Sequence, residues 1–340
     1  MELGRVLEKG LIRVLLIVLI VVASSALIRY VTSPTPPASE AAAQQQKFDS
    51  AQDQKFRALF DNGSKAFQEG QYTEALSQYQ EAERVVPMLR DEQYTALKNA
   101  REQIAELYET GGSRAEAERL YKDMIESAFR DGAAQEHAQQ LEAALNRYQD
   151  AYKLTDHLTE AQEIYRIRAN KGEVVTLQHM NRYADAVNAA QSLIDSLQAA
   201  DENDPAIVQV YMSIGETYQM QQDWQHLETT LVTAARVCDK ILERNKAIPY
   251  NQDPVWKISI SEDQILYALM DAYDQDRKPD EALATAQTLY DLIAQYSTPY
   301  SELPVHGRKE VATSAFRIAT RANRPDIAST WRARIDAARP

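Results

Sequence analysis

The chain has 340 residues, 37 basic and 50 acidic side chains, a net charge of −13 at pH 7 and a single cysteine. That charge disfavours nucleic acid as a partner, since phosphate backbones are held by a surplus of Lys and Arg, and one cysteine excludes an internal disulfide framework. Ten glycines against a surplus of Ala, Gln, Glu, Leu and Arg predict an all-α chain stabilised by packing alone.

In chain order, residues 1–10 form a short flank that ends close to an apolar run. Residues 11–30 read as a transmembrane signal anchor, because Val14 to Ile28 carries no charge and approaches the roughly 20 residues a bilayer-crossing helix needs. Arg5, Lys9 and Arg13 precede the run and Arg29 follows it. This bias places the N-terminus in the cytoplasm and the rest of the chain outside it, in the periplasm of a bacterium. The alternative is a signal peptide cleaved near Ala26, followed by secretion. Residues 31–47 read as a linker rich in Pro, Ala and Gln. Its segment Ser33 to Glu40 favours extended geometry because proline lacks a donor, whereas Ala41 to Gln46 begins helix.

Residues 48–340 alternate apolar positions at helical spacing with short polar breaks about every 20 residues, the pattern of helical hairpin repeats. In the first unit Gly63, Ala66, Ala75 and Ala82 let two antiparallel helices approach, while Tyr72 and Tyr79 fill the seam. Gly70 permits the tight turn and Pro87 stops the second helix. The set Ile104, Tyr108, Gly112, Ala117 and Tyr121 repeats the pattern 42 residues on, and Asn181 replaces the turn glycine before Tyr183 and Ala186. Tyr211, Ile214, Gly215, Tyr218, Trp224, Leu227 and Ala234 give another match, opened by Asp204 as N-cap and Pro205 as first helical residue. Weaker copies follow at Leu266, Leu269, Tyr273 and Ala282, then at Ala312, Ala315, Ala319 and Ala328. Between residues 131 and 172 the register is open: Tyr148, Tyr152, Ala161 and Tyr165 suggest a hairpin that lies too near the next copy.

The spacing of Gly63, Ala66, Gly70, Tyr72, Ala75, Tyr79, Ala82 and Pro87 resembles the tetratricopeptide repeat. The resemblance extends with falling fidelity over nearly all of residues 48–340. It implies a right-handed superhelical solenoid of six to seven helical hairpins, here preceded by one transmembrane helix, with a concave groove lined by the first helix of each hairpin. Some members of that family grip a chaperone's C-terminal carboxylate with Lys and Asn. The corresponding positions here hold Phe60 and Ser64, which argues against such a clamp.

No chemical motif stands out. The chain has no His-Glu-x-x-His pair, glycine-rich phosphate loop or Gly-x-Ser-x-Gly elbow, and His137, His157, His179, His226 and His306 lack ligand spacing. No catalytic residue, metal site or cofactor is expected, and the chain is read as a non-enzyme. Cys238 lies on a helical face that would bury it as a core thiol. The groove orientation implied by the resemblance places Glu102, Glu106 and Glu109, then Glu216, Asp271 and Asp274, along the concave side, where they would either serve as an ordinary solvated helix face or favour basic peptide segments. Two longer breaks carry Tyr250, Trp256 and Tyr300 on proline-stiffened segments, which suit either anchoring a partner or folding back to cover the solenoid's end. The expected function is therefore a membrane-tethered scaffold that binds partner proteins. An accessory structural subunit of a membrane complex and an enzyme on a helical scaffold are the alternatives.

Overall fold

A computed structural model describes residues 38–337, apart from 160, 203, 246, 248–254 and 297–306; the side chains of 38–49, 255–260 and 295–296 also lie outside the description. Among the described residues the structure is helical throughout, and it divides after Pro87 into two compact units.

The first unit is one hairpin, α1 (Ala38–Gln68) and α2 (Tyr72–Val85). Helix α1 starts immediately after Pro37, so the Ala41 to Gln46 run is helical as expected. The two helices meet along Phe56, Ala66, Ala75, Tyr79 and Ala82, all buried. Gly63 is required here: a Cβ at that position would stand 2.6 Å from Tyr79 Cε1. Val86 closes α2 in extended geometry, the conformation that a following proline imposes.

The second unit comprises α3 (Asp91–Thr110), α4 (Arg114–His137), α5 (Leu141–Leu154), α6 (Gln162–His179), α7 (Tyr183–Ala200), α8 (Pro205–Gln221), α9 (Trp224–Arg244), α10 (Val255–Gln275), α11 (Pro279–Tyr296), α12 (Arg308–Arg321) and α13 (Pro325–Ala337). Each helix packs on its chain neighbours, with further contacts between α4 and α6, α6 and α8, and α8 and α10. The cores are serial in the same way. One apolar cluster joins α5 to α8, a second α8 to α10 and a third α10 to α13, so that packing passes along the chain from hairpin to hairpin.

One local device recurs through both units. Residues 70, 112, 139, 181, 222, 277 and 323 take a left-handed φ between 54° and 79°. Each donates its N–H to the carbonyl three residues before, and the next residue donates to the carbonyl five before, at 2.7 to 3.2 Å. This is a Schellman closure, which satisfies the last carbonyls of one helix and reverses the chain into the next. Counting seven residues back and nine forward from each turn residue gives facing pairs: Gly63 with Tyr79, Gly132 with Tyr148, Gly215 with Leu231, Val174 with Ala190, and Met270 with Ala286. In these five pairs a smaller side chain answers a larger one, whereas the pair around Asn323, Phe316 with Arg332, sets a ring against a guanidinium. In the last pair the Arg332 guanidinium lies 5.9 Å from the Phe316 ring centre.

The open register resolves into a shared helix. Turns at Gly112 and Gln139 both involve α4, which pairs with α3 on one side and with α5 on the other. Helices α5 and α6 are then joined by a 3-10 turn, Thr155–His157, and a link that ends at Ala161 with φ 59°. The expected N-cap is present before α8, where Asp204 Oδ1 accepts from Ala206 N–H at 2.8 Å and Pro205 follows as first helical residue.

The single-pass membrane placement expected from residues 11–30 is corrected. No helix among the described residues is long and apolar enough to cross a membrane. Those of spanning length carry charged and amide side chains on their open faces, as Glu102, Glu106 and Glu109 do on α3. The cytoplasmic N-terminus, the extracytoplasmic domain and the alternative of secretion after cleavage near Ala26 rested on the apolar run, and that run lies outside the described residues.

Gly172 of α6 tests the packing device. An added Cβ would sit within 2.5 Å of Tyr148 Cε1. Helix propensity alone favours alanine over glycine by about 1 kcal/mol, whereas overpacking a core costs about 1–3 kcal/mol. The Gly172→Ala variant is expected to lower the thermal midpoint by several degrees in a circular-dichroism melt; an unchanged or higher midpoint would show that the ring has room to move.

Candidate functional site

Helix α3 buries Tyr94, Leu97, Ile104 and Ala105, which leaves Glu102, Glu106 and Glu109 on a neighbouring stripe, the first half-buried and the others exposed. The 3-10 turn between α5 and α6 brings His157 to that stripe. Its ring stacks on Tyr121 at 4.0 Å and 16°, and its Nδ1 lies 3.5 Å from Glu109 Oε1. The turn is pinned from several sides. Thr155 Oγ1–H donates to Tyr152 O at 2.7 Å, Leu158 N–H to Thr155 O at 3.0 Å, and Gln162 Nε2 to the same carbonyl at 3.0 Å.

The electrostatics show how tightly the carboxylates converge. Burial pushes the Tyr121 phenol up to about 12, and Glu109, Glu106 and Glu102 all add to the rise. Burial also pushes the Glu102 carboxyl up, against the pull of Lys98, while Asp150 and Glu106 raise it further. The result is a concentrated negative edge with one imidazole set into it. Among the described residues no group of three or more His, Cys, Asp or Glu side chains is arranged to hold a metal.

The remaining candidates fall elsewhere. Glu216 is exposed on α8 and Asp271 is half-buried on α10, each on a different hairpin from α3. Asp274 on α10 is engaged by Arg321 of α12. Its neighbours have similar tasks: Asp280 pairs with Arg324 at 2.8 Å and Asp276 with Lys278 at 2.7 Å. Tyr250 and Tyr300 lie outside the described residues. Trp256 belongs to the first turn of α10, and its side chain is not among those described.

Sequence reasoning missed both His157 and the buried polar node that fixes α3. Arg147 of α5, 2 % exposed, reaches Asp131 Oδ2 of α4 at 2.7 Å and Asp91 Oδ1 of α3 at 2.8 Å, with its guanidinium 3.8 Å from the Tyr94 ring centre. Asp131 Oδ1 accepts from Leu89 N–H at 2.9 Å, and Gln135 donates to Leu89 O at 2.6 Å. Lys98 and Asp150, at 3.0 Å, add a second bridge from α3 to α5. Every buried charge in this node has its counter-charge, the condition under which burial is tolerated. No local signal announces it, because its members are up to 56 residues apart.

No protein-family model matches the chain and no curated protein matches it. Among solved structures it is similar to a Podosopora anserina kinesin light chain with nearly identical TPR-like repeats, at 14% identity over 63% of this chain and 93% of that one, with a TM-score of 0.44. It is also similar to pilF of Pseudomonas aeruginosa (15%, covering 68% and 87%, TM-score 0.34) and to a tetratricopeptide repeat protein of Parabacteroides merdae (12%, covering 84% and 93%, TM-score 0.31). At these identities and scores nothing about partner or site carries over.

Two further groups, one buried and one half-buried, lie on α9 and α10. Cys238 is fully buried and burial drives its thiol well above the ordinary range, as expected of a core thiol. Burial pushes the Glu262 carboxyl up from about 4.5 to about 7, with Asp239 and Asp263 adding to the rise. A carboxyl whose folded pKa exceeds its unfolded one stabilises the fold most below the unfolded value and loses that contribution as pH rises through the folded one. Chemical denaturation should therefore show stability falling between pH of about 4.5 and about 7. Glu262→Gln should flatten that slope, and a slope identical in the variant would assign it to other groups.

Proposed function

We propose that the chain is a helical-repeat scaffold that holds partner proteins, and that the edge formed by Glu102, Glu106, Glu109 and His157 receives basic peptide segments. The observation that carries this reading is the convergence of three glutamates on Tyr121 and His157, on a helix locked by the buried Arg147 node. Carboxylates fixed at helical spacing offer successive Lys or Arg side chains charge-assisted hydrogen bonds at little ordering cost. The proposal includes a right-handed superhelical path for the hairpins, with Glu216, Asp271 and Asp274 along the same concave side. Of these, Asp274 would contribute only if a partner displaces Arg321. Tyr250, Trp256 and Tyr300 are proposed as aromatic anchors for the same partners.

The reading is tested by fluorescence anisotropy with a labelled lysine- and arginine-rich peptide. Neutralising two exposed carboxylates with Glu106→Gln and Glu109→Gln should weaken binding about tenfold, with a shallower dependence on salt. Both substitutions sit on the open face, so melting should stay unchanged. Equal affinity of wild type and double variant would remove this edge from the account.

A further inference from the structure

The last hairpin has the opposite sign to the chain as a whole. Residues 308–337 carry seven Arg and Lys side chains and three Asp and Glu, within a protein of net charge −13. Its arginines divide by what they meet. Arg321 and Arg324 each find a carboxylate of the preceding hairpin, Asp274 and Asp280, and Arg332 lies 3.5 Å from Asp336 on its own helix. Arg308 and Arg334 are held differently. Their guanidinium carbons lie 4.1 and 4.8 Å from the centre of one ring, Tyr290, and Arg334 also lies 4.2 Å from the Trp331 ring. Arg334 gives one N–H to Gln287 Oε1 at 2.7 Å, while Asp291 on α11 accepts from Gln287 Nε2 instead. Among the described residues, no carboxylate pairs with either guanidinium.

The platform under the two cations is rigid. Tyr290 and Trp331 are buried and meet edge to face at 5.4 Å. Against these rings Arg308 is exposed and Arg334 half-buried, so both guanidinium groups retain solvent-facing surface that a ligand can reach. Cation–π contact orients a guanidinium without neutralising it. Two like charges on one ring therefore leave a positive site without a counter-charge among the described residues. Arg308 and Lys309 moreover occupy the first turn of α12, where the helix dipole disfavours cations.

We propose that Arg308 and Arg334 form a carboxylate-binding site for an acidic segment of a partner protein, one with clustered Asp and Glu side chains. The planar fork of each guanidinium matches a carboxylate bidentately. Two forks on a single ring suit a short run of acidic side chains confined to this basic hairpin, whereas an extended polyanion such as nucleic acid or an anionic bilayer would also face the acidic remainder of a chain of net charge −13. The site is on a different hairpin from the α3 edge, has the opposite charge and does not depend on it.

The test is anisotropy with the full chain and a labelled glutamate- and aspartate-rich peptide at low salt. Arg308→Ala combined with Arg334→Gln should weaken binding by about tenfold or more. Arg317→Ala, which removes an exposed arginine that donates to Ser314 Oγ, should change affinity less than about twofold. Arg334 packs on Trp331, so Arg308→Glu serves as a second variant at a fully open position; it should abolish binding while the melting temperature holds. The proposal is overturned if wild type does not bind the peptide, if the double variant binds as tightly, or if Arg317→Ala weakens binding as much. It is equally overturned if phosphatidylserine vesicles or a single-stranded oligonucleotide bind more tightly than the peptide.

Discussion

The fold depends on one constraint, met seven times among the described residues: a helix must end, reverse within three or four residues and return against its own face. A left-handed residue with a Schellman closure accomplishes the reversal. The facing pair seven residues before it and nine after it then sets how closely the two helices approach. Where one partner of the pair is large the other is small in all but the last hairpin, so the inter-helix spacing is held with Gly and Tyr in one hairpin and with Met and Ala in another. Packing density leaves little freedom to alter one side alone.

This constraint also explains where a rigid edge can arise. Helix α4 enters two such turns and is packed by α3 and α5, so α3 is backed by α4 and tied through ion pairs to α5. The Arg147 node occupies that junction and joins all three helices by ion pairs and hydrogen bonds. Removing one member of such a buried set leaves an uncompensated charge and costs about 3–5 kcal/mol. The α5–α6 connection, freed from the tight-turn pattern, is where the chain can place His157 over Tyr121. The candidate edge therefore follows from the irregularity in the repeat rather than from the repeat itself.

Much of this was legible in the amino-acid order. Gly63, Gly70 and Tyr79 announce the first hairpin because glycine is the residue that both notches a helix and takes a left-handed turn, and Asn181 was readable as a turn residue for the same backbone reason. Gln139, Gln222, Arg277 and Asn323 occupy the same left-handed position, and nothing in Gln or Arg advertises it. Hence the register between residues 131 and 172 stayed open until α4 was seen to serve two turns. The acidic stripe on α3 was visible from spacing, but its neighbours His157 and Tyr121 come from other helices, and Asp274 looked available when Arg321 of a later hairpin engages it. Pairings across 40 or more residues carry no periodic trace. The apolar run Val14 to Ile28 led to a membrane placement that finds no matching helix among the described residues.

If packing is serial, stability should be graded along the second unit rather than shared equally. Native-state hydrogen exchange on the full chain measures this most directly, because each helix reports its own opening free energy. The account predicts the lowest values in α13, which packs on α12 alone, and higher values through α6 to α9. A single opening free energy common to all the helices would contradict it and point to one indivisible core.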